Sequence, residues 1–119
     1  MWGAGCGRPV VRRVSVSTEA DEVCRVALHG EIDADHAEAI LAEIRGAIER
    51  YAPRTVTVDL SRVTFIDTSG LGTLVNAMNA SRAAGADYRV TQVPDLVRPV
   101  LRITGLLEPF GLADEDPPA

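Results

Sequence analysis

Aromatic residues make up only 4% of the 119 residues, one Trp, two Tyr and two Phe, so a core has to be built from Val, Leu, Ile and Ala. Lysine is absent, all twelve cationic side chains being arginine, which removes the phosphate-binding lysine of a P-loop. The arginines form no run, and against seventeen acidic residues they leave a formal charge of -5. That sign is the opposite of what a nucleic-acid backbone rewards, so no direct nucleic-acid contact is expected. No apolar stretch approaches the ~18 residues of a membrane span, and the opening residues lack a signal-peptide core. The two cysteines, Cys6 and Cys24, form no CxxC pair and have no histidine at zinc-ligand spacing. Free thiols in a reducing, cytoplasmic setting are therefore expected, with no metal, cofactor or membrane partner.

What is present is the composition of one globular domain, 46% hydrophobic and 24% charged. At this length about two-thirds of the unfolded chain's surface can be buried on folding, enough for a core without metal or disulfide support. Residues 1–12 and 113–119 are rich in Gly, Pro or charge without periodicity and are expected to be flexible ends, the latter an acidic tail, around a domain at 13–112.

Along that domain, Val14 and Val16, then Cys24 to Leu28, alternate around a polar turn at Thr18 to Glu22, which predicts a hairpin whose second strand Gly30 ends. Ala37, Ile40, Leu41, Ile44, Ala47 and Ile48 recur at three- and four-residue spacing, one stripe of a helix that Asp33 or Asp35 can cap and Pro53 stops. Thr55 to Leu60 is the strongest strand, continued by Val63 to Ile66. After Asp67-Thr68-Ser69-Gly70, a second apolar stripe of Leu71, Leu74, Val75 and Met78 runs out at Gly85. Tyr88 to Val93 reads as a strand. Leu96, Val97, Val100 and Leu101 suit a last core helix; Pro99 is comfortable only within a first turn, so either that helix begins late or one backbone bond is missing. Leu107 to Leu112 is read as a short strand or a helical turn. The expected fold is α/β, a mixed β-sheet with helices shielding one face.

The turn before the second helix is where chemistry is expected. Ser69 falls at a helix N-terminus, where free N–H groups and the macrodipole favour an anion; such a hydroxyl can cap, react or carry phosphate. A hydrolase elbow needs Gly two residues before and two after the serine, and Asp67 and Leu71 stand there. The candidate bases are His29 and His36, and an isolated histidine is more often structural. The Asp-Thr-Ser run lacks the third-position Gly and the second aspartate of an aspartic protease, and Gly70-Leu71-Gly72 lacks the last glycine of a dinucleotide fingerprint. Glu31, Asp33 and Asp35 read as solvated charges and caps, not as a metal set or a glycosidase pair. Gly30, Gly70, Gly72 and Gly85 need only mark turns or close packing, while the glycine beside Ser69 is expected to widen access to its hydroxyl and to favour it over Thr68.

Gly30-Glu31-Ile32-Asp33, Val58-Asp59-Leu60-Ser61, Phe65-Ile66-Asp67-Thr68-Ser69-Gly70-Leu71-Gly72 and Thr104-Gly105-Leu106, in this order and spacing, resemble the STAS-domain anti-sigma factor antagonists over about Val14 to Leu112. The resemblance implies that Ser69 is phosphorylated by an ATP-dependent serine/threonine kinase that is also the anti-sigma factor. It implies too that the unmodified protein binds that kinase and frees the sigma factor, and that a PPM-type serine phosphatase restores the unmodified form. It puts Asp33 close to the hydroxyl and makes Asp33, Asp67, Thr68, Ser69, Gly70 and Leu71 the partner-binding surface of a regulator that is not an enzyme. Asp35-His36 departs from the family pattern, which has a small hydroxyl residue there, and so does Pro99 in the last helix. The competing reading is a STAS module that scaffolds a larger complex or senses a small ligand without being phosphorylated; the fold alone does not separate the two.

Overall fold

The computed structural model describes residues 14–19 and 22–112; the predicted leader, the acidic tail and Cys6 lie outside the described residues. The elements run β1 (Val14–Glu19), β2 (Val23–Ile32), α1 (Ala34–Tyr51), β3 (Thr55–Ile66), α2 (Thr68–Ala83), β4 (Asp87–Thr91) and α3 (Arg98–Ile103). The four described strands form one sheet in the order β1-β2-β3-β4. The β1–β2 pair is antiparallel, and β2–β3 and β3–β4 are parallel, each parallel pair joined through a helix. This is the mixed α/β sheet that the alternating pattern predicts.

Among the described residues only one face of the sheet is covered by helices, which explains why the strands alternate so cleanly in sequence. Cys24, Val26, Leu28, Val56, Val58, Leu60, Tyr88 and Val90 are buried beneath α1 and α2, whereas Arg25, Ala27, Thr57, Asp59, Arg89 and Thr91 on the other face are half-buried or exposed. There Arg25 donates to the Asp59 carboxylate at 3.2 Å. Burial pushes the Asp59 pKa up, but the Ser61 N–H and hydroxyl and the Arg25 guanidinium outweigh it and hold the carboxyl below its usual range. From the helices, Ile40, Ile44, Ala47 and Ile48 of α1 and Leu71, Leu74, Ala77 and Met78 of α2 complete the core.

Four sequence expectations are corrected. Gly30 does not end β2: the strand runs on to Ile32 through a register irregularity against β3, and Gly30 takes a φ of +73° that an L side chain avoids. Neither Asp33 nor Asp35 caps α1 through its side chain; Asp33 is the N-cap, but its carboxylate is held by His36. The strand expected at Tyr88 to Val93 spans Asp87–Thr91, as Gln92 turns out with φ +55°. Leu96 is 68% exposed and lies outside the core, because α3 begins only at Arg98. That late start places Pro99 in the first turn, where its missing N–H has no partner to lose. The chain then closes in helical turns over 107–111, with the Val90 N–H donating to the Phe110 carbonyl and the buried Phe110 ring set edge-on to Tyr88 at 5.8 Å.

Candidate functional site

The parallel strands β2 and β3 end side by side, Ile32 opposite Ile66. The residue after each is an aspartate, and each aspartate is the N-cap of the helix that follows, Asp33 for α1 and Asp67 for α2. Two helix N-termini with two carboxylates thus share one edge of the sheet. The Asp67 N–H donates to the Ile32 carbonyl at 3.3 Å, which carries the parallel ladder one step past the strands.

Asp67 closes the α2 start in a conventional way. Its Oδ1 accepts the Gly70 N–H at 2.9 Å and its backbone carbonyl accepts the Leu71 N–H at 2.9 Å. Thr68 and Ser69 are the first two residues of the helix, and both are exposed. Among the described residues no hydrogen bond ties down the Ser69 hydroxyl, so that side chain is neither cap nor core. Gly70 and Leu71 turn the other way and are buried. A Cβ on Gly70 would fall onto the Ile32 carbonyl oxygen and within 2.6 Å of Ile66 Cγ1. The glycine beside Ser69 is therefore a packing requirement of the α2–β2 contact and does not widen access to the hydroxyl, correcting the sequence argument for preferring Ser69 to Thr68. The outward surface at this turn is Thr68 and Ser69, with the half-buried Asp33 and Asp67 on the same sheet edge.

The α1 start is built differently. Asp33 Oδ1 lies 2.6 Å from His36 Nδ1, and its backbone carbonyl accepts the His36 and Ala37 N–H groups at 3.1 and 2.9 Å. The bond from His36 is the main reason that the Asp33 carboxyl sits below its usual pKa. The clasp uses the very residue, His36, at which the sequence departs from the family pattern; the i,i+3 spacing was visible, but nothing in the sequence shows that the carboxylate prefers the imidazole to the backbone. His29, the other candidate base, lies in β2 with its Nε2 3.2 Å from the Ser15 hydroxyl. Neither histidine is bonded to Ser69, so the nucleophile–base pair of a hydrolase is not assembled here. Glu31 and Asp35 are exposed, and among the described residues no group of three or more His, Cys, Asp or Glu is gathered for a metal ion.

One residue escaped the sequence reading. Thr73 is only 3% exposed, and its hydroxyl donates to the Ser69 carbonyl at 3.1 Å and the Ala37 carbonyl at 3.4 Å. A threonine directly after Gly-Leu-Gly carries no sequence signal for a contact with the other helix.

The family model described as "Mlab, STAS domain" matches residues 15–112. The anti-sigma factor antagonist SpoIIAA in its unphosphorylated form superposes with a TM-score of 0.71 at 27% identity, covering 86% of this chain and 89% of that one. The phosphorylated form of the same Bacillus cell fate determinant gives 0.66 at 26% identity over 86% and 92%. An anti-sigma factor antagonist from Mycobacterium paratuberculosis gives 0.71 at 29% identity over 85% and 84%. A sulfate transporter family protein from Wolinella succinogenes shares the fold, with a TM-score of 0.66 at 21% identity over 83% and 77%. No described helix is long and apolar enough to cross a membrane.

Proposed function

The chain belongs to the STAS-domain family, and from that premise we propose that it is an anti-sigma factor antagonist switched by phosphorylation of Ser69. In its unmodified state it binds a serine/threonine-kinase anti-sigma factor in the cytoplasm and displaces the sigma factor. Phosphate on Ser69 ends the binding, and a PPM-type serine phosphatase resets it. The observation that carries this reading is the Ser69 hydroxyl, exposed on the second residue of α2 and claimed by no described neighbour. The similarity to antagonists solved with and without phosphate supports it.

The physics of the switch is local. A phosphoserine adds a charge of about -1.5 to -2, and at a helix N-terminus the N–H groups and the dipole accommodate it with a stabilisation of about 0.3 to 2 kcal/mol. The domain stays folded in both states, so the effect falls on the interface. Two unit negative charges ~6 Å apart repel by about 3 kcal/mol at an effective dielectric of ~20, and the carboxylates of Asp33 and Asp67 stand on the same edge. Burying the added anion against a partner shaped for a neutral hydroxyl costs more. A net penalty of about 3 to 4 kcal/mol lowers affinity several hundredfold, since 1.4 kcal/mol is tenfold.

The test is to recover the protein from its own cells, map its phosphate by tandem mass spectrometry, and use the unmodified and phosphorylated forms as baits in parallel. Phosphate on Ser69, and a serine kinase retained by the unmodified bait alone, is the expected result. A protein without phosphate at Ser69 under any growth condition, or equal capture by both baits, sinks the proposal and leaves the scaffold or ligand-sensing module.

A further inference from the structure

Thr73 and Ser81 are the two buried polar residues among those described, and they use their hydroxyls differently. Ser81 donates back along its own helix to the Ala77 carbonyl at 2.8 Å, a local bond that satisfies the group and links nothing else. Thr73 faces two carbonyls with one hydrogen, Ser69 in its own helix and Ala37 in α1. The Ala37 N–H is in turn bonded to the Asp33 carbonyl at 2.9 Å. A single buried hydroxyl therefore stands between the turn that carries Asp33 and the turn that presents Ser69.

That bridge matters because the first turns of α2 are weak on their own. Gly70 and Gly72 each cost helix stability relative to alanine. Gly70 is imposed by the Ile32 carbonyl, and a Cβ on Gly72 would meet nothing within 4 Å, so no neighbour braces the turn from that side. The Asp67 carboxylate on the Gly70 N–H, the Asp67 carbonyl on the Leu71 N–H and the Thr73 hydroxyl on the Ser69 carbonyl hold it.

We propose that Thr73 is a positioning residue, its buried hydroxyl fixing the Ser69 turn against the Asp33 turn so that a kinase meets serine and carboxylate at a set offset. The inference rests on the reading of Ser69 as the phosphorylated residue. In that reaction the Ser69 oxygen bonds to the γ-phosphorus of ATP, the bond to the departing ADP oxygen breaks, and the hydroxyl proton passes to a base of the kinase. Thr73 touches none of these atoms; it sets where the Ser69 oxygen stands when they meet.

The experiment compares the full chain with Thr73→Val, which keeps the shape and removes the hydroxyl, and Thr73→Ser, which keeps the hydroxyl and removes the methyl. Thr73→Cys, a poor donor of similar size, replaces the valine variant if that chain fails to fold. Each is incubated with Mg-ATP and an extract of the protein's own cells, and phosphate on Ser69 is followed against substrate concentration. Amide exchange over 70–73 is measured on the purified chains. Loss of one hydrogen bond predicts a fall of about 3- to 10-fold in kcat/KM for Thr73→Val, with faster exchange over those amides and recovery to within about twofold in Thr73→Ser. Equal uptake by wild type and Thr73→Val overturns the role of Thr73 alone, as does equal impairment of the valine and serine variants, which would assign the effect to packing. Absence of phosphate on Ser69 in the wild type overturns this inference together with the functional reading beneath it.

Discussion

The carbonyl oxygen of Ile32 accepts the backbone N–H of Asp67 at 3.3 Å and occupies the space that a side chain on Gly70 would need. The end of one strand thereby sets both the start of α2 and the residue that can stand three positions into it. Ser69 is pinned between these two constraints and turned outward.

Gly70→Ala tests the close approach. The added methyl meets a backbone oxygen that cannot swing away, so α2 must shift off β2, at a cost of about 2 to 4 kcal/mol. Chemical denaturation measures it; a loss below about 1 kcal/mol would mean that the helix start has slack. Gly72→Ala, with open space around the new Cβ, is expected to stabilise α2 by about 0.5 to 1 kcal/mol.

Ser69 is exposed and unbonded among the described residues, so Ser69→Ala is expected to change stability by less than about 0.5 kcal/mol while abolishing phosphate uptake. Ser69→Asp places a charge in the first turn of α2 and is expected to hold or raise stability by about 0.3 to 1 kcal/mol, yet weaken capture of the kinase. Thermal melts and calorimetry read the two effects separately. A destabilised alanine variant would show that the hydroxyl has a structural task after all.

The His36 clasp makes a titration prediction. Its bond to the Asp33 carboxylate holds that pKa below the ordinary carboxylate value, so the folded-state pKa lies under the unfolded one. The clasp therefore adds stability above about pH 3.9, and this contribution fades as the pH falls through the folded-state pKa. In His36→Ala the midpoint of Asp33, followed by carboxyl carbon NMR, is expected to move upward; an unmoved midpoint would assign the depression to something other than His36.

Tyr88 is the buried aromatic with a polar handle, its hydroxyl donating to the Leu74 carbonyl at 3.0 Å. Burial pushes its pKa well above that of a free phenol, so it stays neutral and donating at any physiological pH. Tyr88→Phe keeps the edge contact with Phe110 and gives up that bond, an expected loss of about 0.5 to 1.5 kcal/mol by denaturant titration. Unchanged stability would show that the bond contributes nothing net.

Apolar periodicity, together with β-branched runs and Gly and Pro breaks, located the strands and helices among the described residues, because each side of the alternation answers a physical demand: one sheet face lies under helices and the other does not. It misplaced ends where a backbone device intervenes. Gly30 looks like a terminator, yet its positive φ serves an irregularity inside β2; Leu96 shares the apolar spacing of the last helix, yet Pro99 delays the start to Arg98 and leaves Leu96 exposed. The Asp-Thr-Ser-Gly segment was legible as a helix start, and the resemblance named its serine.

Sequence by itself determined the fold class, through short-range apolar patterns, and marked a polar helix start at 67–70, within which the family resemblance singled out the candidate hydroxyl. Only the tertiary structure decided what surrounds that hydroxyl. Whether Gly70 opens the surface or packs under Ile32, whether Asp33 caps its helix or takes the imidazole of His36, and whether Thr73 speaks to one helix or two all depend on strands and helices distant in the chain meeting at one edge. Contacts of that kind are chosen by packing and hydrogen-bond satisfaction in three dimensions, and local residue order does not encode them one at a time.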